Sequence, residues 1–308
     1  MRALRKITAH PGVELADAPD PEPGPGEALV DVKAFSLNRG EVRRLPSQPD
    51  GHVIGWDVAG VVAAPATDGS GPPAGARVVG LVMSGAWAER AAVPTAHLAE
   101  LPEDVSFAAA ATLPVAGLTA LRALGLGGLL VGRRVLVTGA AGGVGRVALQ
   151  LAARAGAHVT GVIGSPERGA GLRELGADEL VASFDDDDAA PWDLILESAG
   201  GESLAAATRR VGPGGTVVAF GHSSGDETTF DVTAFYRNAP GARVYAFMVF
   251  DEVRGTGSSR DLRTLADLVA SGDLDPQIAL ERSWSDAAEA IDALMGRRVA
   301  GKAVLHVD

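Results

Sequence analysis

The stretch Arg134-Val135-Leu136-Val137-Thr138-Gly139-Ala140-Ala141-Gly142-Gly143-Val144-Gly145-Arg146-Val147-Ala148-Leu149-Gln150-Leu151-Ala152 decides the fold class. Its β-branched start reads as a buried strand, its glycines as a tight turn, and the apolar spacing after Val144 as an amphipathic helix. Strand, glycine turn and helix in immediate succession form the setting in which backbone N–H groups and a helix dipole receive a pyrophosphate. Gly142, Gly143 and Val144 are expected against the phosphates, and Gly145 where helix packs on strand. Ala140 replaces the first glycine of a G-x-G-x-x-G reading, so the weight rests on the flanking strand and helix.

The alternation continues downstream: strand 158–163, helix 167–175, strand 193–197, helix 202–211, and strands 216–220 and 243–250. Such alternation predicts a parallel sheet with both faces covered. Upstream, residues 1–100 are rich in Gly, Pro and Val, with strand-like runs at 3–7, 28–35, 58–63, 77–82 and 86–93. Pro23-Gly24-Pro25-Gly26 and Gly69-Ser70-Gly71-Pro72-Pro73 punctuate them, which predicts a small β-rich domain. Beyond Phe250 come a polar loop, helices near 262–271 and 285–295, and a last strand at 301–307 that is expected to return to the β-rich domain. The aspartates 185–188 read as a solvated loop.

In an NAD-binding unit an Asp or Glu about 20 residues past the glycines would bond the ribose 2′-OH. Here the second strand ends Val162-Ile163-Gly164-Ser165-Pro166-Glu167-Arg168, with no carboxylate at the strand end itself. Ser165 offers a hydroxyl and Arg168 a guanidinium suited to a 2′-phosphate, so NADPH is the expected cofactor. The competing reading makes Ser165 a helix N-cap and Arg168 a solvated residue.

Composition excludes several functions. The net charge of −12, from 39 acidic against 27 basic residues, argues against nucleic acid and anionic membrane surfaces as partners. The chain has no cysteine, which removes disulfides, thiolate nucleophiles and every zinc site built on Cys. Its start lacks the apolar core of a signal peptide, and no run approaches the roughly 18 apolar residues of a membrane span. A cytoplasmic protein is expected.

Six further segments carry a family resemblance. They are Pro23-Gly24-Pro25-Gly26-Glu27-Ala28-Leu29-Val30-Asp31-Val32, Ser36-Leu37-Asn38-Arg39-Gly40-Glu41, Gly55-Trp56-Asp57-Val58-Ala59-Gly60, Leu113-Pro114-Val115-Ala116-Gly117-Leu118-Thr119, Gly214-Gly215-Thr216-Val217 and Gly301-Lys302-Ala303-Val304-Leu305. Together with 140–145 the chain resembles the medium-chain dehydrogenase/reductases, in their zinc-free quinone oxidoreductase-like branch. The resemblance implies an α/β chain: a GroES-like β-rich catalytic domain at 1–108 and 251–308, with a Rossmann dinucleotide-binding domain inserted at 109–250 and the active site in the cleft between them. Zinc-dependent members have a Cys where this chain has Asn38 and a Gly-His-Glu where it has Gly55-Trp56-Asp57, so the implied enzyme is metal-free. The resemblance also implies Asn38 beside the nicotinamide, Thr119 on the cofactor, Gly221 below the nicotinamide, Phe247 and Met248 near the carboxamide, and Arg297 as a further phosphate contact. Phe184 stands where the family often stacks a tyrosine near the adenosine phosphate.

Other constellations compete. Gly221-His222-Ser223-Ser224-Gly225 fits the nucleophile elbow G-x-S-x-G, but the polar residues 226–231 read as loop where an elbow needs a helix. The histidines, His10, His52, His97, His158, His222 and His306, form no i, i+4 pair for a metal. His52 and Trp56 are candidates for the substrate pocket, His52 as a proton donor. Asp57 is expected to pair with Arg39 or Arg43, and Asn38 either stabilises a turn or meets cofactor or substrate.

The expected activity is NADPH-dependent hydride transfer to a quinone or to the activated C=C of an α,β-unsaturated carbonyl compound, a small apolar electrophile. A hydrogen bond from Asn38 or a bound water would steady the enolate. Two alternatives stand beside it: reduction of enoyl thioesters in a biosynthetic pathway, and NADPH binding without turnover. The apolar strand 243–250 is expected to pair with its symmetry mate in a homodimer.

Overall fold

The computed structural model describes residues 1–9, 12–185 and 190–308. His10 and three of the four aspartates of the 185–188 run lie outside the described residues. The chain forms two units, Met1–Leu118 with Val253–Asp308, and Thr119–Glu252. Residues 109–118 thus belong to the first unit and not to the inserted one.

The first unit opens with strands β1 (Arg2–Lys6), β2 (Val13–Asp17) and β3 (Glu27–Leu37), turns through helix α1 (Arg39–Arg44), and continues as β4 (Asp57–Ala64), β5 (Arg77–Leu81), β6 (Arg90–Pro94) and β7 (Leu98–Glu100). Helices α2 (Phe107–Ala111) and α3 (Leu118–Gly125) lead into the second unit. There β8 (Arg134–Val137), α4 (Gly143–Arg154), β9 (His158–Val162), β10 (Glu179–Val181), β11 (Trp192–Glu197), α5 (Gly201–Arg210), β12 (Val211–Ala219), α6 (Val232–Asn238), β13 (Arg243–Ala246) and α7 (Val249–Glu252) follow. The chain then returns to the first unit with α8 (Ser259–Ala270), β14 (Ile278–Ser283), α9 (Ala287–Met295) and β15 (Lys302–His306).

In the first unit the strands order β14-β15-β3-β4-β5-β7, with β6 also on β3 and β1-β2 as a separate hairpin. The long β3 alternates buried and partly exposed residues before its last four become fully buried, so one face is core from the start and both are core at its end. Phe35 and Trp87 stack there with ring centroids 5.7 Å apart. β15 runs antiparallel to β3 with Ala303 opposite Leu37, which brings the chain's last strand beside its third.

The second unit is a six-stranded parallel sheet, β10-β9-β8-β11-β12-β13. This is the order of a dinucleotide-binding fold, whose direction reverses between β8 and β11. Leu194, Ile195 and Leu196 of β11 are all fully buried, as a strand covered on both faces requires.

Three expectations need correction. The helix expected at 167–175 is a 3-10 turn, Pro166–Gly169, because Gly171 and Gly176 sit at φ of 76° and 102°, outside helical range. The strand expected at 243–250 ends at Ala246, and Val249–Glu252 is helical. The strand expected at 86–93 begins only at Arg90, preceded by a single bridge from Ala88 to Ala3. Among the described residues no helix is long and apolar enough to cross a membrane.

Candidate active site

In the second unit the expected cofactor residues that follow β8, β9, β12 and β13 lie at the carboxyl ends of the parallel strands, the side on which such sheets bind ligands, whereas Thr119 lies in α3, before the first of these strands. The chain leaves β8 through Gly139 (φ 62°), and α4 begins after Gly142 with no side-chain cap, which leaves its first N–H groups for a ligand. A Cβ on Gly145 would lie 2.5 Å from the carbonyl oxygen of Gly139 and 2.7 Å from Ala140 Cα. Glycine is needed there for the helix to close on the turn. After β9, Arg168 is half-buried in its 3-10 turn, and the Ser165 hydroxyl bonds the Glu167 carboxylate, holding that group below its usual range. Ser165 therefore serves its neighbour, and the end of β9 carries a carboxylate as well as a guanidinium.

Gly221 follows β12 and is exposed; a Cβ there would come 2.5 Å from the Ser198 carbonyl oxygen. After β13, Phe247 is buried and Met248 exposed. Thr119, buried, is the first residue of this unit. Phe184 packs edge-on to Trp192 at 6.0 Å within the core, and so belongs to the sheet's packing. The segment after Gly221 stays irregular up to α6, so Ser223 lacks the strand-to-helix turn of a nucleophile elbow.

The first unit holds a buried polar cluster that no single stretch of sequence announces. Glu41, in the first turn of α1, folds its carboxylate back on Asn38, accepting from its backbone N–H at 2.6 Å and from Nδ2 at 3.1 Å. It also accepts from Trp56 N–H at 3.0 Å. Asp57, fully buried at the start of β4, accepts from Asn38 Nδ2 at 2.8 Å, from the Ser36 hydroxyl, and from the Val115 N–H at 2.9 Å. Lys302, only 3% exposed at the head of β15, donates to Asn38 Oδ1 at 2.7 Å and to the Leu37 carbonyl at 3.2 Å, with Asp57 Oδ2 at 3.5 Å.

Two corrections follow. Asp57 pairs with Lys302 and the Asn38 amide, not with an arginine; Arg39 instead donates to the carbonyls of Leu294 and Met295. Both amide hydrogens of Asn38 are committed to carboxylates and its oxygen to Lys302, so this arrangement leaves it no hydrogen to give an enolate. The N-x-x-E spacing of 38–41 is the signal available in sequence for part of this cluster. His52 bonds through Nε2 to the Ser84 hydroxyl at 2.8 Å, and that hydroxyl also reaches the Val53 carbonyl. Trp56 is half-buried, with Arg44 over its ring at 5.9 Å. Arg297 is exposed before β15 in a left-handed conformation, φ 58°.

Two carboxylates share this cluster with one ammonium. Burial, and then the charge of Asp57, push the Glu41 carboxyl well above its usual value of 4.5, against the pull of Lys302. The folded chain then holds a proton that the unfolded chain has released, so Glu41's contribution to stability falls as pH rises from 4.5 through the raised value. Urea midpoints measured from about pH 5 to pH 8 should fall more steeply for the wild type than for Glu41→Gln; identical slopes would refute the assignment.

Residues 24–103 match the alcohol dehydrogenase GroES-like domain, and residues 175–305 match a family described as zinc-binding dehydrogenase. The chain is 35% identical over 95% of its length to the spectinabilin polyketide synthase system protein NorB of Streptomyces orinoci. It spans 14% of that synthase's length, and 7% of a second polyketide synthase component that it matches. Among solved structures it is similar to mycobacterial Rv1454c complexed with NADPH, with a TM-score of 0.89, 26% identity and full coverage of both chains. It is also similar to a quinone oxidoreductase of Pseudomonas syringae, with a TM-score of 0.87, 28% identity and 99% of each chain covered.

The zinc of that family description does not suit the residues present. The chain has no thiolate, the oxygens of Asp57 are taken by Ser36, Asn38 and Val115, and an ammonium already stands beside them. Among the described residues no three His, Asp or Glu side chains are grouped to hold a metal. Two domain matches in order, a parallel sheet of dinucleotide-binding order and full-length structural likeness converge: the chain belongs to the medium-chain dehydrogenase/reductase superfamily, among its quinone oxidoreductase-like members.

Proposed function

We propose that the protein is an NADPH-dependent reductase acting on a quinone or on the activated C=C of an α,β-unsaturated carbonyl compound. The observation that carries this reading is the glycine turn at the reversal point of the sheet, with an uncapped helix start and a Cβ-free approach at Gly145. The NADPH complex of a structure alike over its full length supports the choice of cofactor.

In this reading the N–H groups of Gly143 and Val144 bind the pyrophosphate, and Arg168 holds the 2′-phosphate. Gly221, with Phe247 and Met248, accommodates the nicotinamide end, with Thr119 and Arg297 as further contacts. When bound, NADPH would supply a hydride equivalent from nicotinamide C4 to the β-carbon of an enone or to a quinone. The chain's own part is to hold the electrophile in line and to keep bulk water back, with Trp56 and His52 as pocket walls. Because the amide hydrogens of Asn38 are committed, its part is to anchor α1 to β4, and the α-carbon takes its proton from solvent. His52, with Nε2 bonded to the Ser84 hydroxyl, is the alternative to solvent as proton donor in this reading.

A second reading, reduction of enoyl thioesters, is favoured by the likeness to polyketide synthases. The only tyrosines, Tyr236 and Tyr245, both lie in the second unit, and Tyr245 is engaged with Glu252 at 2.6 Å. A panel of quinones, enones and enoyl thioesters, followed by loss of the reduced-nicotinamide absorbance, separates these readings. Oxidation of NADPH by none of them would leave a cofactor-binding protein without turnover.

Arg168→Ala should raise the Kd for NADPH about tenfold and leave that for NADH nearly unchanged, since a charge-assisted hydrogen bond contributes about 1.5–3 kcal/mol. Equal weakening of both would remove Arg168 from the 2′-phosphate site. We also propose a homodimer paired along β13, the edge of the parallel sheet, where Val244 is 40% exposed. With the strand ending at Ala246 the seam is short. Light scattering at micromolar concentration should give twice the 31.3 kDa chain mass, and the monomer mass would count against it.

A further inference from the structure

We infer that Glu197 sets the balance between the oxidised and reduced forms of the cofactor, an inference that rests on the nucleotide-binding reading above. Glu197 ends β11 and is fully buried. Its Oε1 accepts from Ala199 N–H and the Ser203 hydroxyl, both at 2.8 Å, and from the Thr138 hydroxyl at 3.4 Å. Its Oε2 accepts from Gly200 N–H at 2.9 Å. All four described partners are neutral donors, the complement of a group that only accepts. A buried carboxylate without a cation beside it is costly to keep, and neutral side chains can hold a turn equally well. The charge itself therefore calls for a use.

Topology supplies one. Thr138 follows β8 and Glu197 closes β11, so the two flank the point where the strand order reverses and where a dinucleotide crosses the sheet. The next residue, Ser198, is wedged across that point. A Cβ on Gly139 would lie 2.7 Å from its hydroxyl, and one on Gly221 would lie 2.5 Å from its carbonyl oxygen. The carboxylate is thus one residue away from the strip that joins the glycine turn to Gly221, on the half of the sheet assigned above to the nicotinamide.

The two forms of the cofactor differ by one positive charge on the nicotinamide ring. A fixed negative charge in a water-poor setting attracts the oxidised ring and is nearly indifferent to the reduced one. Glu197 accordingly tightens NADP⁺ relative to NADPH and lowers the free energy of the state that follows hydride departure.

The test is a pair of dissociation constants, for NADP⁺ and for NADPH, measured calorimetrically on the full chain. Glu197→Gln should weaken NADP⁺ about five- to twentyfold and NADPH less than about twofold. Ser203→Ala, which keeps the charge and removes one hydrogen bond, should change both by the same factor. Equal weakening of the two forms by Glu197→Gln would overturn the inference and leave Glu197 a purely structural residue. If Glu197→Gln does not fold, Ser203→Lys places an ammonium against the carboxylate and should shift the ratio in the same direction; an unchanged ratio there overturns the inference too. Binding of neither form by the wild type would instead overturn the nucleotide-binding reading, and this inference with it.

Discussion

Lys302→Met should destabilise the protein by about 3–5 kcal/mol at neutral pH, the expected effect of removing one partner from a buried ion pair. The ammonium lies 3.5 Å from Asp57 Oδ2 and 2.7 Å from Asn38 Oδ1, with both charged partners almost wholly out of water. Without it, the Asp57 carboxylate remains in the core beside the Glu41 carboxyl group, with only neutral donors around it. The pH response should sharpen as well, because Lys302 is the described charge that draws the Glu41 carboxyl down. Once that pull is gone the folded state binds its proton more tightly, and the variant should regain stability on acidification. Denaturant unfolding of variant and wild type at about pH 5 and pH 8 checks both points. A loss below about 1 kcal/mol at neutral pH, of the size seen for exposed pairs, would show that the cluster is not a buried ion pair.

Gly145→Ala should cost at least about tenfold in NADPH affinity, the equivalent of one lost charge-assisted bond. The added Cβ would meet the carbonyl oxygen of Gly139 at 2.5 Å and the Cα of Ala140 at 2.7 Å, both backbone atoms of the turn itself. No rotamer change relieves that contact, so α4 must shift away from β8 and carry its N–H groups off the pyrophosphate. Overpacking of this kind costs about 1–3 kcal/mol in stability. Gly164→Ala is the matched control, because a Cβ there meets nothing within 4 Å. Retention of full NADPH affinity by Gly145→Ala would mean that the turn does not hold the cofactor.

The nucleotide-binding half of the fold is legible because its signal is local. In residues 134–152 a strand, a turn and a helix each show their own period, and the glycines mark where backbone must approach backbone. The turn at 166–169 reads wrongly as a helix because the periodicity of 167–175 is helical while Gly169, Gly171 and Gly176 break it. Sequence makes β13 too long because Phe247, Val249 and Phe250 are apolar for a different reason: they are buried around the short helix α7. The polar cluster is harder to read. Glu41 is announced by its spacing from Asn38, but Lys302 reaches them only through the register of β15 on β3, which sequence periodicity does not encode. Arg39 and Arg43 suggest themselves as partners of Asp57 because they are near in sequence, yet burial selects a lysine at the far end of the chain. Glu197 gives no signal except a carboxylate closing an apolar strand; three of its four partners lie in the six residues after it, and the fourth, Thr138, comes from the end of β8.

Transfer of a single deuterium from NADPH to an enone tests directly whether the protein is a hydride-transferring reductase. NADPH labelled with deuterium on one face of nicotinamide C4 would be incubated with the protein and a short-chain enone, and the saturated product examined by mass spectrometry and NMR. Labels on the two faces are run separately. One deuterium is expected at the β-carbon with one of the two labels, protium from solvent at the α-carbon, and one NADPH consumed per product. Product without label from either cofactor, or no product from any enone, quinone or enoyl thioester despite tight NADPH binding, would contradict that reading.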